Sequence, residues 1–264
     1  QFAGNMTVFS FNNAIVRTPA RSVINGLRAG EHAGPSADGV AAEHAAYIVA
    51  LADAGLQVTT LPPLEAFPDS VFVEDPALVF GGTAIILNPG APSRAGEAAE
   101  IRTELARQFA QVIELDAGHA DGGDVMVTPE AVYIGLSART DATGATALAR
   151  ALAQIGRTAR IVTPPPGVLH LKTGANLIDE DVLLVTAPMA AAGMFPGFDC
   201  ITVGDGEDAA ANALRLNDWL LVGAHFPRTI DKLAARGFKL VPLDTREIGK
   251  IDAGLSCMSL RWQA

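Results

Sequence analysis

Two short apolar runs around a tight turn, a helical stretch and a further apolar run recur along this chain with a spacing of about 40 to 50 residues, and a repeat of that kind permits few architectures. The first copy pairs strands over 77–80 and 84–87 around Gly81-Gly82, then a helix over 95–108 and a strand over 111–115. The second has strands at 125–128 and 132–135 around Pro129-Glu130, a helix at 141–154 and a strand at 160–163. A third has 175–178 and 182–186 around an acidic turn, an irregular linker and a strand at 200–203. A fourth has 213–216 and 219–222 around Asn217-Asp218, a helix at 228–236 and a strand at 239–243.

The hairpins follow from β-rich runs separated by short turns of Gly, Pro, Asn or Asp. The helices follow from apolar spacing in Ala-rich windows behind a polar starter, as with Ala147, Leu148, Ala151 and Leu152 after Asp141. A fifth copy needs both ends of the chain: 257–262, then the strand 13–17, the helix 40–54 and the strand 57–61. Joining them closes a ring, which predicts one α/β domain over 6–264 with five pseudo-symmetric blades. An ordinary α/β or α+β sheet is the alternative. Gln1 to Asn5 are expected to lie outside the domain.

Composition narrows the partners. The chain has 264 residues, 49% of them hydrophobic, enough for one sizeable core. No apolar run approaches the roughly 20 residues that cross a bilayer, and the start lacks the basic-then-apolar pattern of a secretory leader. Two cysteines, Cys200 and Cys257, make neither a disulfide framework nor a C-x-x-C metal site, which fits a reducing cytoplasm. A net charge of -10 disfavours nucleic acid and favours small cationic molecules.

The polar residues that stand out fall just before the first strand of successive copies: Asp75, Asp121 with Gly122-Gly123, His170 and Cys257. Units related by rotation would bring these four to one axis. A thiol needs a cationic neighbour or a base to become a strong nucleophile. A histidine can protonate a leaving amine and then deprotonate water, provided a carboxylate such as Asp121 orients it. Asp75 could hold a cationic substrate. Each has a plainer reading: Cys257 as an inert buried hydrophobe, Asp121 as a turn former, His170 as a core histidine. Arg94 and Arg139, where strands give way to helices, can bind a carboxylate bidentately or be solvated surface charges. His119, Asp121 and Asp124 are a weak metal pattern.

Taken together, Arg17 to Ser22, Phe67 to Asp75, Asn88 to Arg94, Asp121 to Asp124, Gly135 to Thr140, Leu169 to Lys172 and Lys250 to Cys257 resemble the dimethylarginine dimethylaminohydrolases, in order along nearly the whole chain. The resemblance implies a five-fold pseudo-symmetric α/β-propeller of the pentein type. It implies that Cys257 attacks the guanidinium carbon of an Nω-methylated arginine to give a thiouronium, that His170 protonates the departing amine and activates water, and that citrulline is released. It makes Asp121 the histidine's partner and Asp75 the guanidinium's. Asp69 and the backbone oxygen of Leu27 would hold the α-ammonium and Arg94 and Arg139 the α-carboxylate, with Glu74, Ile251 and Asp252 lining the pocket. No cofactor and no metal are implied, and the molecule would be a monomer or homodimer.

Two positions refine the expectation. Bacterial relatives can carry Glu where Asp121 stands, which changes reach but keeps the charge. Related arginine deiminases carry Asp two residues after the histidine, where this chain has Lys172; a dimethylated nitrogen has no N–H to satisfy such an acid. The competing readings are a deiminase or hydrolase of another guanidine, and a non-catalytic module that binds cationic amino acids. The segment from Leu27 to Asp38, rich in Gly, Ser and Pro, is expected to be a mobile lid.

Overall fold

The computed structural model describes residues 7–30 and 33–264. The expected domain start at Met6 and two positions of the expected lid lie outside them. Among the described residues the strands form five sheets of three. The first blade comprises β3 (Ala77–Phe80), β4 (Thr83–Ile86), helix α2 (Glu97–Gln108) and β5 (Gln111–Glu114). The second comprises β6 (Val125–Val127), β7 (Val132–Gly135), α3 (Ala142–Gln154) and β8 (Ala159–Val162). The third comprises β9 (Ala175–Asp179), preceded by the single turn α4 (Leu171–Gly174), with β10 (Val182–Val185), α5 (Ala187–Ala191) and β11 (Asp199–Thr202). The fourth comprises β12 (Leu214–Leu216), β13 (Trp219–Gly223), α6 (Pro227–Ala235) and β14 (Lys239–Leu243).

In each blade the first two strands pair antiparallel and the second pairs parallel with the third. The fifth blade draws on both ends of the chain. Strand β1 (Asn13–Arg17) lies antiparallel to β15 (Leu260–Trp262) and parallel to β2 (Gln57–Leu61), and α1 (Ala37–Asp53) joins β1 to β2. The ring expected from the repeat is therefore closed, and the linker expected to be irregular in the third copy holds the short helix α5.

Burial explains why the middle strands read as continuous apolar runs. All four residues of β4, β7 and β10 are buried, because each middle strand packs on a neighbouring blade from both faces. Five apolar clusters result, one at each seam: Ile85 with Val132, Tyr133 with Leu183, Leu184 with Leu220, Leu221 with Val16, and Ile15 with Ile86. The outer strands are half exposed, as in the Gln111–Glu114 strand. Helix starts follow the expected chemistry: Ser36 Oγ accepts the Gly39 N–H at 3.0 Å and Asp141 Oδ1 the Gly144 N–H at 2.7 Å. None of the helices described is long and apolar enough to cross a membrane.

The seam between fourth and fifth blades carries a polar clamp. Asn217, at the β12–β13 turn, adopts φ 51°, a left-handed conformation that Asn tolerates better than most residues. Its side chain accepts the Phe11 N–H at 2.9 Å and donates to the carbonyls of Phe11 at 3.0 Å and Ala54 at 2.9 Å. Asn217→Ala is expected to lower the unfolding free energy in urea by about 2–3 kcal/mol, from three lost hydrogen bonds at about 1 kcal/mol each. A loss within about 0.5 kcal/mol, the range of ordinary surface changes, would show that the turn does not clamp the ring.

Candidate active site

The inner strands β3, β6, β9, β12 and β15 line the axis, with β15 beside β3, β6 beside β9 and β9 beside β12. Two cavities occupy that axis. The larger, about 690 Å³, runs along the inner strands toward their C-terminal ends. The smaller, about 150 Å³, lies at their N-terminal ends and holds Asp75, Asp121, His170 and Cys257. Size does not locate the chemistry here: the four groups expected to converge do so in the smaller space.

His170 opens the turn α4. Its imidazole Nε2 meets Asp121 Oδ2 at 3.2 Å, while Asp121 Oδ1 accepts the Gly90 N–H at 2.8 Å. The other face of the ring packs on Gly123, where a Cβ would come within 2.8 Å of Nδ1 and 3.1 Å of Asp75 Oδ1. Gly122 is equally confined, since a Cβ there would lie 1.9 Å from the Glu74 carbonyl oxygen. The Gly-Gly after Asp121 is therefore a close-approach device as well as a turn. Burial by itself lowers the His170 pKa, but the Asp121 hydrogen bond and the charges of Asp75, Asp124 and Asp121 outweigh it and hold the imidazole above its ordinary value.

Cys257 is buried, and its pKa is pushed up to about 11, first by burial and then by the charges of Asp75 and Glu74; Lys172 acts in the opposite direction. At neutral pH it is a thiol. Asp75 is held below the usual carboxylate range although burial opposes it, because Arg94, His170 and the Gly123 N–H all favour its charged form. Asp75, Asp121 and His170 each bring a polar atom within 4.8 Å of the others. Both acids are engaged within the site, Asp75 by Arg94 and the Gly123 N–H and Asp121 by His170 and the Gly90 N–H.

Of the residues expected to hold the rest of a substrate, Leu27, Asp69, Arg94, Arg139, Ile251 and Asp252 all line the smaller cavity. Asp69 Oδ1 accepts the Leu27 N–H at 3.0 Å and Asp252 Oδ2 the Ala29 N–H at 2.5 Å, so two acids of the cavity wall fasten the segment 27–29. Asp252 sits in the left-handed region at φ 56°. Arg139 faces the cavity half-buried, its positive charge felt by Asp69. Arg94 is more committed than expected. Its Nη1 bonds Asp75, Nε meets Glu97 Oε1 at 2.9 Å, and Nη2 meets Glu97 Oε2 at 2.6 Å and the carbonyls of Phe72 and Asp69.

Glu74 corrects the expectation that it lines the substrate pocket. Its carboxylate turns away from its neighbour Asp75 into the larger cavity, where Lys172 Nζ at 2.5 Å and Arg261 Nη2 at 3.0 Å hold it. Two buried cations fix that direction. Lys172 accordingly lies off the smaller cavity and faces no substrate there.

Glu97 and Asn212 escaped the sequence reading, and Asp124 entered it only as part of a weak metal pattern. Glu97 grips Arg94, an i,i+3 pair that its spacing alone could have shown. Asp124 is fully buried and accepts from Ser137 Oγ, Thr140 Oγ1 and the Leu171 N–H at 2.6, 2.7 and 2.9 Å, tying the Arg139 loop to the His170 turn. Asn212 stands two residues before β12, where the repeat places polar groups. Cys200, by contrast, is exposed on the outer strand β11, far from this constellation in the fold.

Known proteins resemble this chain in sequence and fold. The arginine deiminase family model matches residues 63–214. The N(G),N(G)-dimethylarginine dimethylaminohydrolase of Pseudomonas aeruginosa is 40% identical over 255 residues, covering 96% of this chain and all of that one. The Streptomyces coelicolor enzyme of the same name is 33% identical over 94% of this chain and 96% of its own. The solved structure of a cysteine-to-serine variant of the Pseudomonas enzyme with citrulline superposes with a TM-score of 0.92 over 96% of this chain and all of that one.

The thiol pKa of about 11 fixes how the free protein meets an alkylating reagent. Below that pKa the thiolate fraction rises tenfold per pH unit, so the rate of Cys257 alkylation by iodoacetamide is expected to climb by about tenfold per unit from pH 7 to 10. A rate that levels off below pH 8 would contradict the environment described.

Proposed function

This chain belongs to the dimethylarginine dimethylaminohydrolase family, and from that premise we propose that it hydrolyses Nω-methylated L-arginine to L-citrulline and methylamine or dimethylamine. One observation carries the reading: a buried neutral thiol, two carboxylates and a raised imidazole line one small cavity.

The steps follow from those charges. A guanidinium beside Asp75 brings positive charge to Cys257 and opposes the anions that keep the thiol protonated, so the sulfur loses its proton to solvent as the substrate binds. Sulfur then bonds to the guanidinium carbon. As the bond from that carbon to the methylated nitrogen breaks, His170 gives its proton to the leaving amine, with Asp121 holding the ring. A thiouronium on Cys257 remains. Neutral His170 takes a proton from water as the water oxygen bonds to the same carbon; the C–S bond then breaks, citrulline leaves and the thiolate is recovered.

The amino-acid end has its own partners. Asp69 and the Leu27 carbonyl take the α-ammonium, and Arg139 takes the α-carboxylate. Arg94 can offer only the second N–H of Nη1, because Asp75 takes the first and Glu97 and backbone carbonyls hold the rest of its guanidinium. Ile251 and Asp252 close the wall. Such a chain acts as a monomer or homodimer in the reducing cytoplasm, in keeping with its exposed unpaired Cys200.

Incubation with arginine and its mono- and dimethylated forms, assayed for citrulline and released amine, tests the reading. Turnover of the methylated forms is expected; ammonia from arginine with no amine from any methylated form would make the chain a deiminase. Cys257→Ser is expected to bind methylated arginine within a few-fold of the parent and to turn over none, whereas Cys200→Ser keeps both. Asp121→Asn is expected to lower kcat by about 10²- to 10⁴-fold with little change in affinity, as for other carboxylates that orient an acid–base imidazole. Loss of activity in the Cys200 variant equal to that in the Cys257 variant would overturn the assignment.

A further inference from the structure

Four blades bring acid–base or nucleophilic groups to the axis ahead of their inner strands: Asp75, Asp121, His170 and Cys257. The fourth blade's position holds Asn212, buried and two residues before β12. Its Oδ1 accepts the Ser256 N–H at 3.1 Å, which fixes which end of the amide points where. The Nδ2 end therefore faces Cys257, and donates to Sγ at 3.7 Å. Gly254 packs so closely that a Cβ there would lie 2.2 Å from Asn212 Cγ, leaving the amide no room to turn. Among the described residues the remaining polar side-chain contact to the sulfur is Ser256 Oγ, at 4.0 Å.

We infer that Asn212 acts in catalysis as the amide N–H donor that stabilises the Cys257 thiolate. A thiol sulfur is a weak acceptor and a thiolate a strong one, so this hydrogen bond gains strength as the proton leaves. An interaction that strengthens along the reaction raises the rate, whereas one of constant strength does not. On the mechanism proposed above, on which this role in turnover rests, the thiolate appears twice: before attack, and again when the C–S bond breaks. The charged groups around the sulfur are Asp75 and Glu74 from the segment before β3, and Lys172 and His170 from the segment before β9. Asp121, Asp252, Arg94 and Arg139 share the cavity. Asn212 adds a donor to this set without adding a charge.

Asn212→Asp tests the donor with little change of shape. It keeps the oxygen that accepts the Ser256 N–H and replaces the donating Nδ2 by an anionic oxygen. Alkylation of the free protein by iodoacetamide at pH 9 is expected to fall about tenfold or more, as a charge-assisted hydrogen bond is lost. Methylated-arginine kcat should fall in parallel, while affinity measured in the Cys257→Ser background is not weakened. A structural role through Ser256 would leave all three unchanged, and alkylation and kcat within twofold of the parent would overturn the inference. Should the Asp variant melt far below the parent, Asn212→Ala takes its place. It lacks the donor without adding charge, and alkylation at the parent rate would again overturn the inference. The alkylation arm needs no substrate. A parent protein that releases no amine from methylated arginine would defeat the proposed function, whereas unchanged alkylation in a turnover-competent variant would defeat the role of Asn212.

Discussion

The antiparallel pairing of β15 with β1, which sets Asn13 opposite Trp262 and Ile15 opposite Leu260, holds the whole molecule in its closed form. No blade has a core of its own. Each apolar cluster is shared by two neighbours, so one open seam would expose both flanking faces. Closure is achieved by residues at opposite ends of the chain, and it carries the nucleophile with it. Cys257 lies three residues before β15, and the Glu74 N–H donates to its carbonyl at 3.2 Å, which joins the last blade to the first at the axis. The thiol is in place because the ring is shut.

Once the axis is closed, electrostatics divides it. Glu74 and Asp75 are neighbours in sequence and serve different spaces. Glu74 neutralises Lys172 and Arg261 on one side, and Asp75 meets Arg94 and the Gly123 N–H on the other. Buried charges of this kind persist only when paired and hydrogen-bonded. The larger cavity gains a floor of one carboxylate shared between two cations. The smaller one keeps Asp75 beside a sulfur that cannot pair with it.

Periodicity is a property of the backbone path, and it was legible from the chain: the four hairpins, the third strand of each copy and the joining of both termini follow from turn residues and apolar runs. So were Asp75, Asp121, His170 and Cys257, because each stands at an equivalent place in the repeat. Asn212 stands there too, but an amide carries no obvious acid–base signal, and only its contact to Sγ gives it meaning. Pairings that depend on side-chain direction were not legible. Glu74 reads as part of an acidic run with Asp75 until two cations from β15 and α4's segment turn it away. Arg94 reads as a loop arginine until Glu97 occupies most of its guanidinium.

Of the two central groups, His170 suits a resting thiolate–imidazolium pair and Cys257 does not. Asp121, Asp75 and Asp124 hold the imidazole of His170 up and so favour its proton, whereas burial first, and then Asp75 and Glu74, hold Cys257 up and favour its thiol. A resting thiolate–imidazolium pair requires the sulfur to ionise, and here Asp75 and Glu74 oppose it. On the proposed function the missing charge comes from the substrate, whose guanidinium enters beside Asp75. On that reading, the acid that would receive the substrate's guanidinium is also one of the groups that keep the thiol protonated in its absence. Neutral amides or ureas of similar shape would enter without supplying that charge and leave the sulfur protonated. Selectivity for cations then arises from the activation of the nucleophile as well as from binding.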